Sequence, residues 1–382
     1  MQIITTTDQL QQLTERLSKH DFVAVDTEFM RESTYWPDLC LIQIASEDEE
    51  AIIDPLANGI NLEPLFHLMS DKSTIKVFHA ARQDVEIFHK LSGKIPEPLF
   101  DTQVAAMVCG YGEQVGYSQL VKKITDTDLD KSSRFTDWAK RPLSEKQLTY
   151  AIGDVTHLRV IYRSLQSMLE KSGRAAWLAE EMETLTSVET YVTEPEHAWK
   201  RMKMRVKSRK ALGILIELAE WRESLAQRAN IPRGRVMKDD ALFDIANQAP
   251  KNTKDLGQLR AVSDGFARSE KGREVISAVE RGKAKDIDSI PPLKKGNPLD
   301  AQAVAICELL RVLLKAIAAE NGVAPKMIAT ASDLERLAQS DEADIPALQG
   351  WRYDLFGEPA LKIKRGELLL TVKDQRVQTI EV

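Results

Sequence analysis

Phe22-Val23-Ala24-Val25-Asp26-Thr27-Glu28-Phe29 is the stretch on which the fold turns. Its apolar lead-in is rich in residues that favour strands, and it predicts a buried strand over 22–29. Side chains two apart on a strand share a face. Asp26 and Glu28 therefore project together, roughly 7 Å apart at the backbone given the rise per residue. Two anions aimed at one spot repel unless something positive sits between them. A divalent cation meets that need, and hard carboxylate oxygens suit magnesium or manganese. The competing reading is an ordinary solvated sheet edge, because Asp-x-Glu is a common pair.

Outward from that strand, residues 39–45 and 51–54 read as the next two strands of a meander, and 74–78 as a further strand. Helices are expected over 62–70, 80–90 and 102–108, and Gly110, Gly112 and Gly116 break the pattern into loop. Ser144-Glu145-Lys146-Gln147 resembles a capping box and opens a long helix running towards Glu170. Strands mixed with helices predict an α/β domain with a mixed sheet flanked by helices. After residue 195 the strand signals stop. Leu212, Leu215, Ile216 and Ala219 recur at helical spacing, with Pro232, Pro250 and Gly257 as punctuation. Residues 289–298, with Pro291, Pro292 and Pro298, read as a linker, and a second helical segment follows from Asp300. The two helical segments read as possible divergent copies, and residues 360–370 fit either a helix or a hairpin. The expected domains are 1–195, 196–290 and 291–382.

Composition bounds the function classes. The 382 residues are 43% hydrophobic and 29% charged, which is ordinary for globular proteins, so each domain has enough apolar residues for its own core. No run of about 18 apolar residues suggests a membrane span, and residues 1–8 carry no leader-like pattern. Cys40, Cys109 and Cys307 are scattered without metal-ligand spacing. These features predict a cytoplasmic protein. The net charge of −6 hides an asymmetry: residues 197–290 hold 10 Lys and 11 Arg against 13 Asp and Glu, a surplus of +8 that leaves −14 for the rest. An acidic part joined to a basic part suits a metal-dependent enzyme that must also hold a polyanion.

Two further carboxylates stand in suggestive places. Asp84 follows a predicted strand in the first turns of a helix, where an acid also complements the helix dipole. Asp154 and Tyr150 are four apart on the long helix and so share a face. Singly, each is as ordinary as its surroundings. Together, acids from separate elements can surround two cations about 3.5–4 Å apart, the arrangement that serves phosphoryl transfer. A tyrosine hydroxyl one turn away can orient an attacking water. His79 and His157 read as packing histidines.

At these residues the sequence resembles a known superfamily. Val25 to Phe29, Leu41-Ile42-Gln43-Ile44, His79 with Asp84, and Tyr150 with Asp154 are similar, in order, to the three exonuclease motifs of the DEDD superfamily. Thr149 stands where the histidine-type branch has its His, and Tyr150 matches the tyrosine-type branch. Asp137-Trp138-Ala139-Lys140-Arg141-Pro142-Leu143 narrows the resemblance to the bacterial ribonuclease D family. Trp221 to Pro232, followed by Leu242 to Ala246, is similar to the helical HRDC domain, and Gly350-Trp351-Arg352 is the best recognisable piece of a second one.

The resemblance implies an RNase H-like exonuclease domain followed by two all-helical HRDC-type domains. It implies a 3′→5′ exoribonuclease that uses two divalent cations, Mg2+ or Mn2+, and releases nucleoside 5′-monophosphates. Asp26, Glu28, Asp84 and Asp154 would be the metal ligands, and Tyr150 would hold the attacking water. The implied partner is RNA with a free 3′ end, chiefly tRNA precursors. No membrane and no obligate protein partner are implied, and the chain is expected to be a monomer. Thr27, Phe29, Gln43, His79 and Arg141 are candidate substrate contacts, with Lys131, Arg134 and Lys140 as further phosphate candidates. On a regular strand, Thr27 and Phe29 also fit plain core positions. The run containing Lys200, Arg201, Lys203 and Lys207 is the candidate RNA tether, its alternative being an exposed linker. A DNA exonuclease and a silent RNA-binding scaffold remain as rival readings.

Overall fold

The computed structural model describes residues 2–130, 132–134, 136–203, 205–293 and 299–382. Lys131, Met204 within the basic run, and residues 294–298 of the expected linker lie outside the described residues. The strands are β1 (Gln2–Ile4), β2 (Phe22–Met30), β3 (Asp38–Ala45), β4 (Glu50–Ile53), β5 (Ile75–Phe78) and β6 (Leu99–Asp101). They form a mixed sheet in the order β1-β4-β3-β2-β5-β6. The expected meander is there: β2, β3 and β4 are neighbours, and β3 and β4 run antiparallel with Gln43 opposite Ile52. β2 runs parallel to β5 with Ala24 opposite Val77, and β5 runs parallel to β6 with Phe78 opposite Asp101.

β2 lies in the middle of the sheet, and Phe22 to Val25, which point alternately to its two faces, are all apolar and buried, so both faces are covered here. Phe22 and Ala24 pack against Val155, Leu158 and Tyr162 of the helix Glu145–Ser172. The same face of β2 continues, two residues at a time, into Asp26 and Glu28. The long helix starts where the sequence places it. Ser144 accepts from the Gln147 N–H, and the Gln147 side chain accepts from the Ser144 N–H.

By packing, the chain divides into two compact units whose boundaries differ from the three successive domains expected. One comprises Met1–Glu28, Leu41–Ser187 and Asn297–Val382, and the other Phe29–Cys40 and Val188–Gly296. The reason in the first unit is a shared core. Ala105, Val108, Leu120 and Leu165 join one apolar cluster with Cys307, Leu310, Leu334 and Phe356. Gly110 permits the approach: a Cβ there would sit 2.4 Å from the Gly322 carbonyl oxygen. Trp351, in the expected signature piece, stacks on Trp177 with ring centroids 4.1 Å apart, and Arg352 pairs with Glu181 at 2.7 Å. The chain's end resolves into both readings. A helix, Glu358–Arg365, is followed by an antiparallel hairpin, β7 (Leu368–Lys373) and β8 (Arg376–Glu381).

In the second unit the helices Arg209–Ala229 and Glu270–Ala284 pack closely. A Cβ on Gly282 would lie 2.4 Å from the Ile214 Cα, so glycine is what lets the backbones meet. The segment Phe29–Cys40 is anchored in this unit by a buried polar cluster. Tyr35 donates to Glu223, Arg233 donates to both Glu223 oxygens at 2.5 and 2.7 Å, and the Glu223 side chain is fully buried. Asn230 accepts from the backbone N–H groups of Tyr35 and Trp36.

Candidate metal and nuclease site

One carboxylate oxygen from each of Asp26, Glu28 and Asp154 lies within 4.8 Å of the others. Asp26 and Glu28 come from β2, and Asp154 comes from the long helix packed on the same face of the sheet. Tyr150, one turn before Asp154, is near enough for its hydroxyl to lower the Asp154 pKa, and its ring packs 6.0 Å from Trp138. All three acids are half-buried.

Asp84 reaches the same neighbourhood from another element. After β5 the chain turns sharply at Ala80, whose φ of 58° is left-handed and costs strain for a non-glycine residue. Asp101, 3% exposed at the end of β6, stabilises the turn by accepting from the N–H groups of Ala80 (3.0 Å) and Ala81 (2.9 Å). The helix Arg82–Ser92 then starts with Asp84 in its first turn. Asp84 is 6% exposed, and the Thr27 hydroxyl donates to its Oδ1 at 2.5 Å.

The electrostatics follow from crowding acids away from water. Burial, then the charge of Asp154, push Asp26 well above the usual carboxylate range. Burial and the charges of Asp26, Asp154 and Asp84 push Glu28 up to about 9. Asp154 rises to about 7 through burial, held back by the Tyr150 hydroxyl and by Arg134. Burial and Asp26 raise Asp84 as well. Tyr150 is raised by burial and the surrounding acids, so it stays protonated and able to donate. Three converging oxygens that resist ionisation together form a hard donor set suited to a divalent cation.

The remaining candidates separate. Thr27 turns to Asp84, and Phe29 is half-buried at the end of β2. Gln43 is completely buried on β3, with its amide atoms unpaired. The His79 ring bonds through Nδ1 to Thr102 Oγ1 at 3.0 Å and packs edge-on against Tyr117, and burial lowers its pKa. Arg141 is committed elsewhere: its guanidinium grips both Asp54 oxygens at 2.8 Å and the Trp138 carbonyl at 2.7 Å. That fork holds the 138–141 turn to the end of β4. Arg134 is exposed, and its charge is felt by Glu28, Tyr150 and Asp154. Lys200, Arg201, Lys203 and Lys207 are all exposed in the second unit.

Two contributors went unread in the sequence. Asp101-Thr102-Gln103 carries an N-cap signal, and Asp101 does cap the helix Thr102–Val108, but its grip on the Ala80 turn has no local signature. Tyr117 donates to the Gly153 carbonyl at 3.0 Å, next to Asp154, and its pKa is raised by burial and then by Asp154 and Asp26. Nothing in its own sequence neighbourhood marks it.

Comparison with known proteins agrees with this architecture. A family model described as 3′-5′ exonuclease matches residues 1–170, and one described as HRDC domain matches residues 211–279. The chain is 49% identical over 381 residues to a ribonuclease D of Nitrobacter hamburgensis, covering 100% of both chains. It is 45% identical to a ribonuclease D of Bartonella henselae, covering 99% of this chain and 94% of the relative. Among solved structures, Escherichia coli RNase D, an exoribonuclease involved in structured RNA processing, superposes with a TM-score of 0.82 at 28% identity. That match covers 96% of this chain and 98% of the other. The catalytic core of RRP6 from Trypanosoma brucei shares the fold, with a TM-score of 0.54 at 23% identity over 74% of this chain and 79% of the other. Among the described residues, no helix is long and apolar enough to cross a membrane.

Proposed function

The chain belongs to the ribonuclease D family of 3′→5′ exoribonucleases, and on that premise we propose that it releases nucleoside 5′-monophosphates one at a time from RNA 3′ ends. The proposed substrates are tRNA precursors and other small structured RNAs. The observation that carries the reading is the convergence of Asp26, Glu28 and Asp154 on one spot, with Asp84 beside them. Asp26 is proposed to serve two cations, with Glu28 and Asp154 completing the first site and Asp84 supporting the second. Bound Mg2+ or Mn2+ would neutralise the scissile phosphate and make water a better nucleophile.

The chain's own residues supply the rest. Tyr150, protonated and one helical turn before Asp154, orients the attacking water. That water gives up a proton to solvent as it adds to phosphorus, and the bond to the O3′ of the preceding nucleotide breaks. O3′ leaves with a proton from solvent, and the last nucleotide departs as its 5′-phosphate. Arg134, whose charge already reaches the acids, is proposed to meet the phosphate, and exposed Lys140 is proposed as a further phosphate contact. Lys200, Arg201, Lys203 and Lys207 are proposed to tether RNA.

The last segment is proposed to be a divergent second HRDC-type domain. In the first, a 21-residue helix (Arg209–Ala229) ends on a left-handed Asn230, followed by the helices Arg233–Val236 and Asp239–Gln248. The same order returns 92 residues later. Ala301–Asn321 ends on left-handed Gly322, and Pro325–Ile328 and Ala331–Gln339 follow.

One gel tests the function. End-labelled single-stranded RNA, 3′-extended tRNA and single-stranded DNA are incubated with Mg2+, Mn2+ or EDTA. The expected pattern is a ladder shortening from the 3′ end of both RNAs, with metal only. Shortening in EDTA, or internal cleavage, would overturn the proposal.

A further inference from the structure

Thr27 stands between two proposed ligands, yet its side chain leaves from the opposite face of β2. There it is 6% exposed and donates its hydroxyl proton to Asp84 Oδ1 at 2.5 Å. The two residues are 57 apart in sequence and belong to different elements, a strand and a helix. The final torsion of an aspartate is broad and roughly two-fold, so an unheld carboxylate samples many orientations. A charge-assisted bond to one oxygen removes that freedom and fixes where the other oxygen points. The Asp101-braced turn at Ala80 sets where the helix starts, but only Thr27 touches the Asp84 carboxylate among the side-chain bonds described.

We propose that Thr27 is a positioning residue that holds the Asp84 carboxylate in the orientation needed to support a bound divalent cation. The inference rests on the proposed metal site and adds to it the residue that preorganises its most buried member. Partners of this kind tune a metal site through its ligands, and losing one typically weakens binding by about 10–100-fold. Valine keeps the β-branched shape of threonine and removes the donor. Serine keeps the donor and removes a methyl.

The test uses the full chain without RNA and follows Mn2+ binding by calorimetry, with free Mn2+ counted by electron paramagnetic resonance. Wild type is expected to bind two ions. Thr27→Val should weaken one of them by about 10–100-fold and leave the other unchanged. Thr27→Ser should restore wild-type binding. In an Asp84→Asn background, Thr27→Val should change nothing further, which separates positioning through Asp84 from a general loss of fold. Wild-type affinities at both sites in Thr27→Val would overturn the inference. A wild-type chain that binds no Mn2+ would instead overturn the metal-site reading, and this inference with it.

Discussion

Two groups of buried carboxylates in this molecule are built in opposite ways. In the second unit, fully buried Glu223 is matched inside the fold: Arg233 grips both its oxygens, and Tyr35 and Gln227 donate to it. Burial alone would raise its pKa, but these partners win and hold it below the usual range. In the first unit, burial raises Asp26, Glu28, Asp84 and Asp154, and the charges of neighbouring acids add to the rise at Asp26, Glu28 and Asp84. Arg134 and two hydroxyls lower some of them without reversing the sign. A carboxylate whose cation is supplied by the chain does structural work, anchoring Phe29–Cys40. Carboxylates whose charge the chain leaves uncompensated are arranged for a cation from outside.

The sharpest way to break that contrast is to remove an acid from each group. Asp26→Ala or Asp154→Asn should lower 3′→5′ hydrolysis by about a thousandfold or more, in single-turnover assays, while RNA binding by filter retention stays near wild type. Wild-type-like turnover by either variant would sink the catalytic assignment. Glu223→Ala should instead cost stability, about 3 kcal/mol. This lies at the low end for a broken buried pair because the Arg233 side chain is 40% exposed. Urea unfolding reads it, and Mn2+ binding should not move.

The pH dependence should run in opposite directions. A carboxyl with a raised folded-state pKa holds its proton more tightly when folded, so the fold loses stability as pH rises from the unfolded value to the folded one. For Glu28 that window runs from 4.5 to about 9, and for Asp154 from 3.8 to about 7. Melting temperature in EDTA should therefore fall across this range, and Glu28→Gln should flatten the alkaline limb. Glu223 has a lowered pKa, so its contribution is present above the unfolded value and is lost as pH falls through the folded one. Glu223→Gln should flatten the acid limb. The smallest effect concerns exposed charge. Reversing Lys200, Lys203 and Lys207 should reduce the salt slope of single-stranded RNA binding by about 2, and an unchanged slope removes that run from the footprint.

The first carboxylate group was readable in the sequence because its parts carry local signals. β2 announces itself by its apolar run, and the Ser144 capping box places Tyr150 and Asp154 on one helix. The second group carries no such signal. Tyr35 and Glu223 are 188 residues apart, and no periodicity brings them together. Arg141 shows the same limit: beside the last motif it reads as a phosphate contact, but its partner Asp54 lies 87 residues away. β1 and β6, three residues each, are too short for alternation to register. The proposed helical repeat carries little sequence signal: at its 92-residue offset, buried Leu215 and Arg222 meet buried Cys307 and Leu314, but buried Leu212 and Glu223 meet exposed Val304 and Lys315.

The central claim is that the four acids of the first unit are poorly tolerated by the fold until a cation joins them. Melting Asp26→Asn beside wild type at pH 8, in EDTA and then in excess Mn2+, tests it most directly. The account predicts that the variant melts higher than wild type in EDTA and that Mn2+ raises wild type alone, reversing the order. A variant that melts lower than wild type in EDTA would contradict it, because Asp26 would then be a matched structural acid like Glu223.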